Sequence, residues 1–424
     1  SGEEFSLIHY GDETQRRIEA YKDLEARADA IYQSLPAIFR DAFYQTILYP
    51  IRGASLMNQK ILYAKKSVAY ASQGRVSANE YAAMAEAAYN QILAETDYYN
   101  NKTANGKWRH IMSCKPRGLA VFEMPSVGTV EPVSGSSMGV IVEGQTSEVP
   151  TASSLPTFDV FTKNRHFIDI FNKGDTEFVW AAVPSAGWIR LEQTSGTVKG
   201  QDRIWVSLDW AQVPLGESSG SIEISGAGRT LAVHLAAFNP ESPRPEEWKG
   251  FVQSNGFVSI EAEHYSRKTA GSGANWETIK TLGRSGDTMA VFPTTVPSRT
   301  HISDVQANSP CLEYQVYLWD AGVQKVKVYC IPTHAITSEH GLRYAVAFDE
   351  QTPQIIGYDT AEWSSQWTVN VLQGAAVSES THTVSAAGRH TLKIWMVDAG
   401  VVIDKIVIGN APAGHMGPPE TTVR

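Results

Sequence analysis

Cysteine is scarce in this chain. Three occur in 424 residues, Cys114, Cys311 and Cys330, and no two stand in a CxxC. At least one must lie outside any intrachain disulfide, which excludes a disulfide-built scaffold. Cys311 and Cys330 either pair across neighbouring strands or stay as buried thiols, and buried thiols are expected. Long apolar runs are missing too, since none approaches the roughly 18–20 residues of a membrane helix. A positive surplus is also absent: 36 Lys and Arg stand against 45 Asp and Glu, for a formal charge of −9. An acidic chain has no long-range attraction for nucleic acid or an anionic membrane, so neither is expected as a partner. Phosphate loops and dinucleotide fingerprints do not occur. The opening Ser1-Gly2, followed by Glu3-Glu4-Phe5, holds no signal-peptide pattern and reads as a chain processed, engineered or cut from something longer.

What is present suggests several globular units. Hydrophobic residues make up 42% of the chain and charged residues 19%, enough for sizeable cores at a length that splits into domains. Ile18, Tyr21, Leu24, Ala28, Ile31 and Leu35 recur at helical spacing. Pro36 suits a first turn, and Ile38, Phe39, Phe43 and Ile47 continue an apolar stripe that Pro50 and Gly53 are expected to interrupt. A third helix through Leu56, Ile61 and Ala64 should end near Gly74. A fourth opens on a capping box, Ser77 and Glu80, and runs past Ile92. These helices read as a bundle.

The texture then changes. "FVWAAV", "WIRLEQ", "RIWVSLDW", "GSIEIS" and "TLAVHLAAF" alternate between turn signals, which suggests a β-sandwich. "NPESPRPEEWKG" is a Pro-rich linker, and a second all-β unit follows it, ending in "GVVIDKIVIGN". In "GFVSIEAEHY" a strand would point Val258, Ile260 and Ala262 to one face and Ser259, Glu261 and Glu263 to the other. The two carboxylates could be a glycosidase pair, metal ligands or a wet face. A pair leaving one strand face nearly parallel cannot flank a sugar from opposite sides, so acid/base chemistry is not expected of them.

Other motifs carry less. Gly135 to Gly139 matches GxSxG, but no helix is expected after it, so it reads as a Ser-rich turn. His334 and His340 lack zinc-site spacing and read as loop histidines. Aromatic rings of Trp stack on sugars, although Trp276, Trp319 and Trp395 are expected in cores. Trp363 and Trp367 lie in the polar stretch "TAEWSSQWT", so one of them is a candidate for a sugar-contacting surface.

The text "LPAIFRDAFYQTILYPIRGASLMNQKILYAKKSVAYASQGRVSANEY" resembles the C-terminal half of family 115 glycoside hydrolases, the xylan α-1,2-glucuronidases. "NGKWRHIM", "NWETIKTLGRSGDTMAVFP", "GLRYAVAFDE" and "GVVIDKIVIGN" fit the same family in the same order. The resemblance implies a multidomain protein, α then β. Its parts would be a helical bundle (1–120) that packs on a preceding (β/α)₈ barrel, an immunoglobulin-like β-sandwich (121–240), a linker (241–250), a jelly-roll, galactose-binding-like β-sandwich (251–410) and a flexible tail (411–424). It implies inverting enzymes that remove (4-O-methyl)-glucuronic acid side chains from glucuronoxylan or decorated arabinogalactan, with acid and base in a barrel outside these residues. No catalytic residue is therefore expected in this chain. A homodimer and a bacterial periplasmic or secreted location are implied as well. The alternative is a stand-alone carbohydrate-binding or structural protein without catalysis.

Three further expectations follow from the resemblance. Asn58 is a candidate to reach the barrel mouth, since an amide can both donate to a carboxylate and accept from a hydroxyl; Tyr63 is the poorer candidate. No cofactor for catalysis is expected. If first and last strands pair as in a jelly roll, Glu261, Glu263 and Asp404 could converge on a structural Ca²⁺; solvated or Lys/Arg-paired carboxylates remain the other reading.

Overall fold

The structure is a computed structural model, and it describes residues 5–149, 152–336 and 341–423. His340 lies outside the described residues, and His334 sits exposed in a loop. Helix α1 (Glu13–Ser34) starts at Asp12, whose carboxylate accepts the Gln15 N–H as an N-cap. Helix α2 (Ala37–Phe43), one π turn (Tyr44–Leu48) and α3 (Tyr49–Ser72) run on without a break. The interruption expected at Pro50 and Gly53 does not occur. Pro50 occupies the first turn of α3, where a missing N–H is harmless. A single Gly inside a helix costs only about 1 kcal/mol, less than the burial of one large apolar side chain. Helix α4 (Ser77–Asn101) packs along α3. Its expected capping box does not form: Ser77 Oγ donates instead to Gln201 Oε1 of the next unit, at 2.8 Å.

The second unit is a β-sandwich. One sheet orders strands Met138–Val142, His166–Asn172, Gln201–Leu208 and Ile189–Leu191; the other centres on Arg229–Asn239, Gly216–Gly226 and Phe178–Pro184. Val140, Ile168, Trp180, Ile204, Ile222 and Val233 fill the space between them. The GxSxG stretch leads into strand Met138–Val142 and not into a helix, as a turn should.

A buried ladder of charges fixes the bundle on this sandwich. Lys66 Nζ donates to Asp12 at 2.8 Å, and Arg203 reaches Asp12 at 2.9 Å and Asp169 at 2.6 Å. Arg75 then reaches Asp169 at 2.9 Å. Asp12, Lys66 and Arg75 come from the bundle, Asp169 and Arg203 from the sandwich. Alternating signs let each desolvated charge find a partner, without which its burial would be costly.

The third unit is a jelly roll. One sheet orders Gln354–Gly357, Arg343–Phe348, Gly388–Met396, Cys311–Leu318, Gly250–Val252 and Thr422–Val423; the other orders Asn275–Ile279, Thr288–Phe292, Val402–Gly409, Gly322–Cys330 and Ala376–Val384. Strand Phe257–Glu261 pairs antiparallel with Val402–Gly409, so first and last strands are neighbours as expected. Val258, Ile260 and Ala262 do enter the core, with Trp276, Tyr314 and Ile406. Helix α5 (Ile302–Asn308) brings Val305 onto the outer face beside Trp395, and α6 (Ser365–Gln373) precedes strand Ala376–Val384. Cys311 and Cys330 lie in different sheets, and all three cysteines are free, so the thiol reading holds.

The tail, expected to be flexible, is docked. Thr422–Val423 adds a strand beside Gly250–Val252. Ser259 Oγ donates to the Pro418 carbonyl at 2.9 Å, and the His415 N–H donates to Glu13 on α1 at 3.0 Å. Tyr10 Oη also donates to the Pro412 carbonyl. Backbone polar groups of a Pro/Gly-rich segment need partners like any others, and here the other units supply them.

Candidate functional site

Glu261 ends its strand, and Glu263 follows in a turn, not on the strand face expected for it. Asp404 occupies a β-bulge: Tyr329 pairs with Lys405 and Cys330 with Ile403, which leaves Asp404 between them without a partner on that side. Bulges re-aim side chains. This one turns the Asp404 carboxylate away from strand alternation and towards loop 281–287.

That loop meets all three acids. The Arg284 N–H donates to Asp404 Oδ2 at 3.2 Å, Ser285 Oγ to Glu261 at 2.9 Å, and the Asp287 N–H to Glu263 Oε1 at 2.9 Å. Glycine is required where the loop comes closest. A Cβ on Gly283 would stand 2.3 Å from Asp404 Oδ1 and 2.7 Å from the Ser285 carbonyl, and one on Gly286 2.4 Å from Glu263 Oε1. Two oxygens of the cluster, Glu263 Oε2 and Asp404 Oδ1, are buried without a partner.

Lys405 is the counter-charge, at 2.9 Å from Glu261. Residues directly opposed across an antiparallel pair share a face, and Lys405 opposes Glu261. Its ammonium does not relieve the whole cluster. Burial, reinforced by Glu261, pushes the Asp404 carboxyl up to about 6, and burial raises that of Glu261 against the pull of Lys405.

Oxygen donors only, two of them orphaned, with the Ser285 carbonyl close by, fit a hard cation such as Ca²⁺. No three His, Cys, Asp or Glu side chains among the described residues group as a metal cluster, so backbone oxygens would have to complete such a set.

The aromatic candidates lie on one end of α6. Trp363 is 77% exposed with φ of +65°, and its ring centre stands 4.8 Å from that of Trp367. Ser364 caps the helix by accepting the Trp367 N–H at 3.1 Å. Trp276 and Trp395 are buried, as expected of core residues. At the other end of α6, a Cβ on Gly374 would stand 3.9 Å from the Arg284 side chain of the acidic loop.

Asn58 sits mid-helix on α3, half-buried. Its amide donates to the Ala54 carbonyl at 2.9 Å and accepts from Arg17 at 3.3 Å. Tyr63 is buried and takes Lys22 on its hydroxyl at 2.8 Å. The three groups therefore stay apart: Asn58 in the bundle, the tryptophan pair and the acids in the jelly roll. Ser285 and Arg284 were missed because a loop's contacts leave no periodic trace. Asp169, an acid inside the apolar run "FIDIFN", was a readable signal of a buried ion pair.

Residues 250–420 match the model of the glycosyl hydrolase family 115 C-terminal domain. This stretch has the sequence of a family 115 C-terminal domain. Among solved structures it is similar to a family 115 4-O-methyl-α-glucuronidase with specificity for decorated arabinogalactans: 17% identity, TM-score 0.53, over 96% of this chain and 34% of that one. The chain thus spans about a third of the length of that enzyme. Over 36% of its length it aligns with the C-terminal family 6 carbohydrate-binding module of a laminarinase from Zobellia galactanivorans, at 12% identity, 99% coverage of that module and TM-score 0.23. A family 35 module from Clostridium thermocellum aligns over 36% of this chain and 96% of its own, at 11% identity and TM-score 0.24. No curated protein matched the chain.

Proposed function

We propose that this chain is the accessory C-terminal part of an inverting α-glucuronidase. The whole enzyme would remove (4-O-methyl)-glucuronic acid side chains from glucuronoxylan or decorated arabinogalactan, with acid and base in a preceding (β/α)₈ barrel. The observation that supports this reading is the family 115 C-terminal domain over residues 250–420. In such an enzyme the bundle packs against the barrel, the protein is a homodimer outside the cytoplasm, and Asn58 keeps one amide N–H and one lone pair for a substrate group. Trp363 and Trp367 offer a ring face to the polysaccharide.

In the same reading, Glu261, Glu263 and Asp404 hold a structural Ca²⁺. The cation would neutralise the carboxylates that burial crowds together, and it takes no part in chemistry. Loop 281–287 would be clamped by it against the first and last strands.

The test compares two proteins on glucuronoxylan and on an arabinogalactan. The chain alone should release no uronic acid; the polypeptide that includes the residues encoded upstream should release it with inversion. Release by the chain of verified mass at a comparable rate, or an upstream sequence without a barrel, would overturn the proposal. The second outcome would favour a binding protein without catalysis, which the exposed tryptophan also suits.

A further inference from the structure

A cavity of about 480 Å³ lies between the bundle and the sandwich. Leu7, Lys65, Tyr70, Gln73, Arg75 and Phe167 are among its walls, and Asp169 borders it. Three wall residues carry a buried polar atom with no partner: Tyr70 Oη, Gln73 Oε1 and Arg75 Nε. Tyr70 is 3% exposed and Arg75 1%. A polar group left unpaired in this way costs about 1–3 kcal/mol, so three around one cavity point to something that pairs with them.

Charge selects the sign of the ligand. The ladder that joins the two units holds three cations, Lys66, Arg203 and Arg75, and two carboxylates, Asp12 and Asp169. Asp169 is already shared, since Arg203 donates to both of its oxygens and Arg75 to one. The row therefore has one positive charge in excess, and its Arg75 end lines the cavity, where the guanidinium also donates to Gln201 Oε1 at 3.3 Å and lies over the Tyr70 ring. Lys65, also in the wall, donates to the Phe5 carbonyl at 2.6 Å. A low-dielectric wall of net positive charge favours an anion.

The remaining lining narrows the class. Gln73 commits its amide N–H to the Thr146 carbonyl at 2.8 Å, which leaves Oε1 as an acceptor for a hydroxyl. Burial pushes the Tyr70 phenol up, so its proton stays and can be donated. Leu7 and Phe167 are apolar and suit the C–H face of a sugar ring. Inorganic anions would leave that wall and Gln73 unused.

We propose that this cavity binds a carboxylate of monosaccharide size, a hexuronate. Its carboxylate faces Arg75 and Tyr70, a hydroxyl donates to Gln73, and the ring lies on Leu7 and Phe167. The assignment stands on the cavity lining; the glucuronidase reading enters only in the choice of D-glucuronate as probe.

The experiment is titration calorimetry of the whole 424-residue chain with D-glucuronate, D-glucose and inorganic phosphate. Glucuronate should bind at one site, and glucose and phosphate should be at least about tenfold weaker. Tyr70→Phe and Gln73→Leu should each weaken glucuronate by about tenfold, while Trp363→Ala should leave it unchanged. Arg75 is left intact because its removal cuts the ladder. Should either cavity variant fail to fold, amide exchange decides instead: glucuronate must protect residues 69–75 in the unaltered chain. Absence of binding, phosphate or glucose matching glucuronate, or loss of binding only on Trp363→Ala would overturn the proposal.

Discussion

Arg75, at the turn between α3 and α4, donates to Asp169 in the middle of a sandwich strand at 2.9 Å, and both side chains are buried. One bond thus ties the hinge of the bundle to the next unit. Burial by itself would raise the Asp169 carboxyl, yet Arg203 and Arg75 hold it far below the usual range.

Asp169→Asn should therefore destabilise the chain by about 3–5 kcal/mol, because buried Arg75 loses its carboxylate partner and Arg203 keeps only Asp12, which it shares with Lys66. The pH dependence follows from the depressed value. The Asp169 contribution is fully present above the unfolded carboxyl value of about 4 and is lost progressively as pH falls from there through the depressed folded value. Denaturant melts at pH 7 and at pH 3 check both: the difference between wild type and variant should shrink at the lower pH.

Calcium should raise the melting temperature of the chain, and Asp404→Asn should abolish the rise. At a concentration about 100-fold above Kd the gain would be about 2.7 kcal/mol. Scanning calorimetry with EDTA and then with Ca²⁺ makes the measurement, and an unchanged transition would mean that Lys405 and the loop N–H groups satisfy the acids by themselves.

Trp363→Ala should leave stability within about 0.5 kcal/mol, since the side chain is 77% exposed. Retardation of the chain in gels containing glucuronoxylan or arabinogalactan should fall by a factor of several, the worth of one aromatic contact of about 0.5–1.5 kcal/mol. Equal retardation of variant and wild type would remove Trp363 from the surface that meets the sugar.

The docked tail should matter for stability. Glu13 accepts the Ser6 N–H at 2.8 Å and the His415 N–H at 3.0 Å, so it joins both ends of the described chain. Glu13→Ala should cost about 1–3 kcal/mol by leaving those donors unpaired. Amide exchange at Ser6, His415 and Met416 should accelerate well before that of the jelly-roll core, and unchanged protection there would show that the tail is held elsewhere.

Period and punctuation determined much of this protein without any coordinates. Helical spacing through Ile18 and Ala28, and alternation through Val258, Ile260 and Ala262, depend on short-range geometry that any chain of this pattern must obey. The order of bundle, sandwich and jelly roll was legible for that reason. The resemblance to family 115 rested likewise on residues in sequence. Long-range contact decided the rest. Pro50 and Gly53 read as breaks because local propensity cannot weigh the packing that carries α3 through them. Ser77 read as a cap because nothing nearby in sequence announces Gln201. Asp404 turns to the acidic loop only because one extra residue bulges its strand against Tyr329 and Cys330, and Lys405 then falls beside Glu261. The ladder from Lys66 to Arg75 and the cavity at its end exist only where two units meet, since charges far apart in sequence become partners when burial removes the water between them.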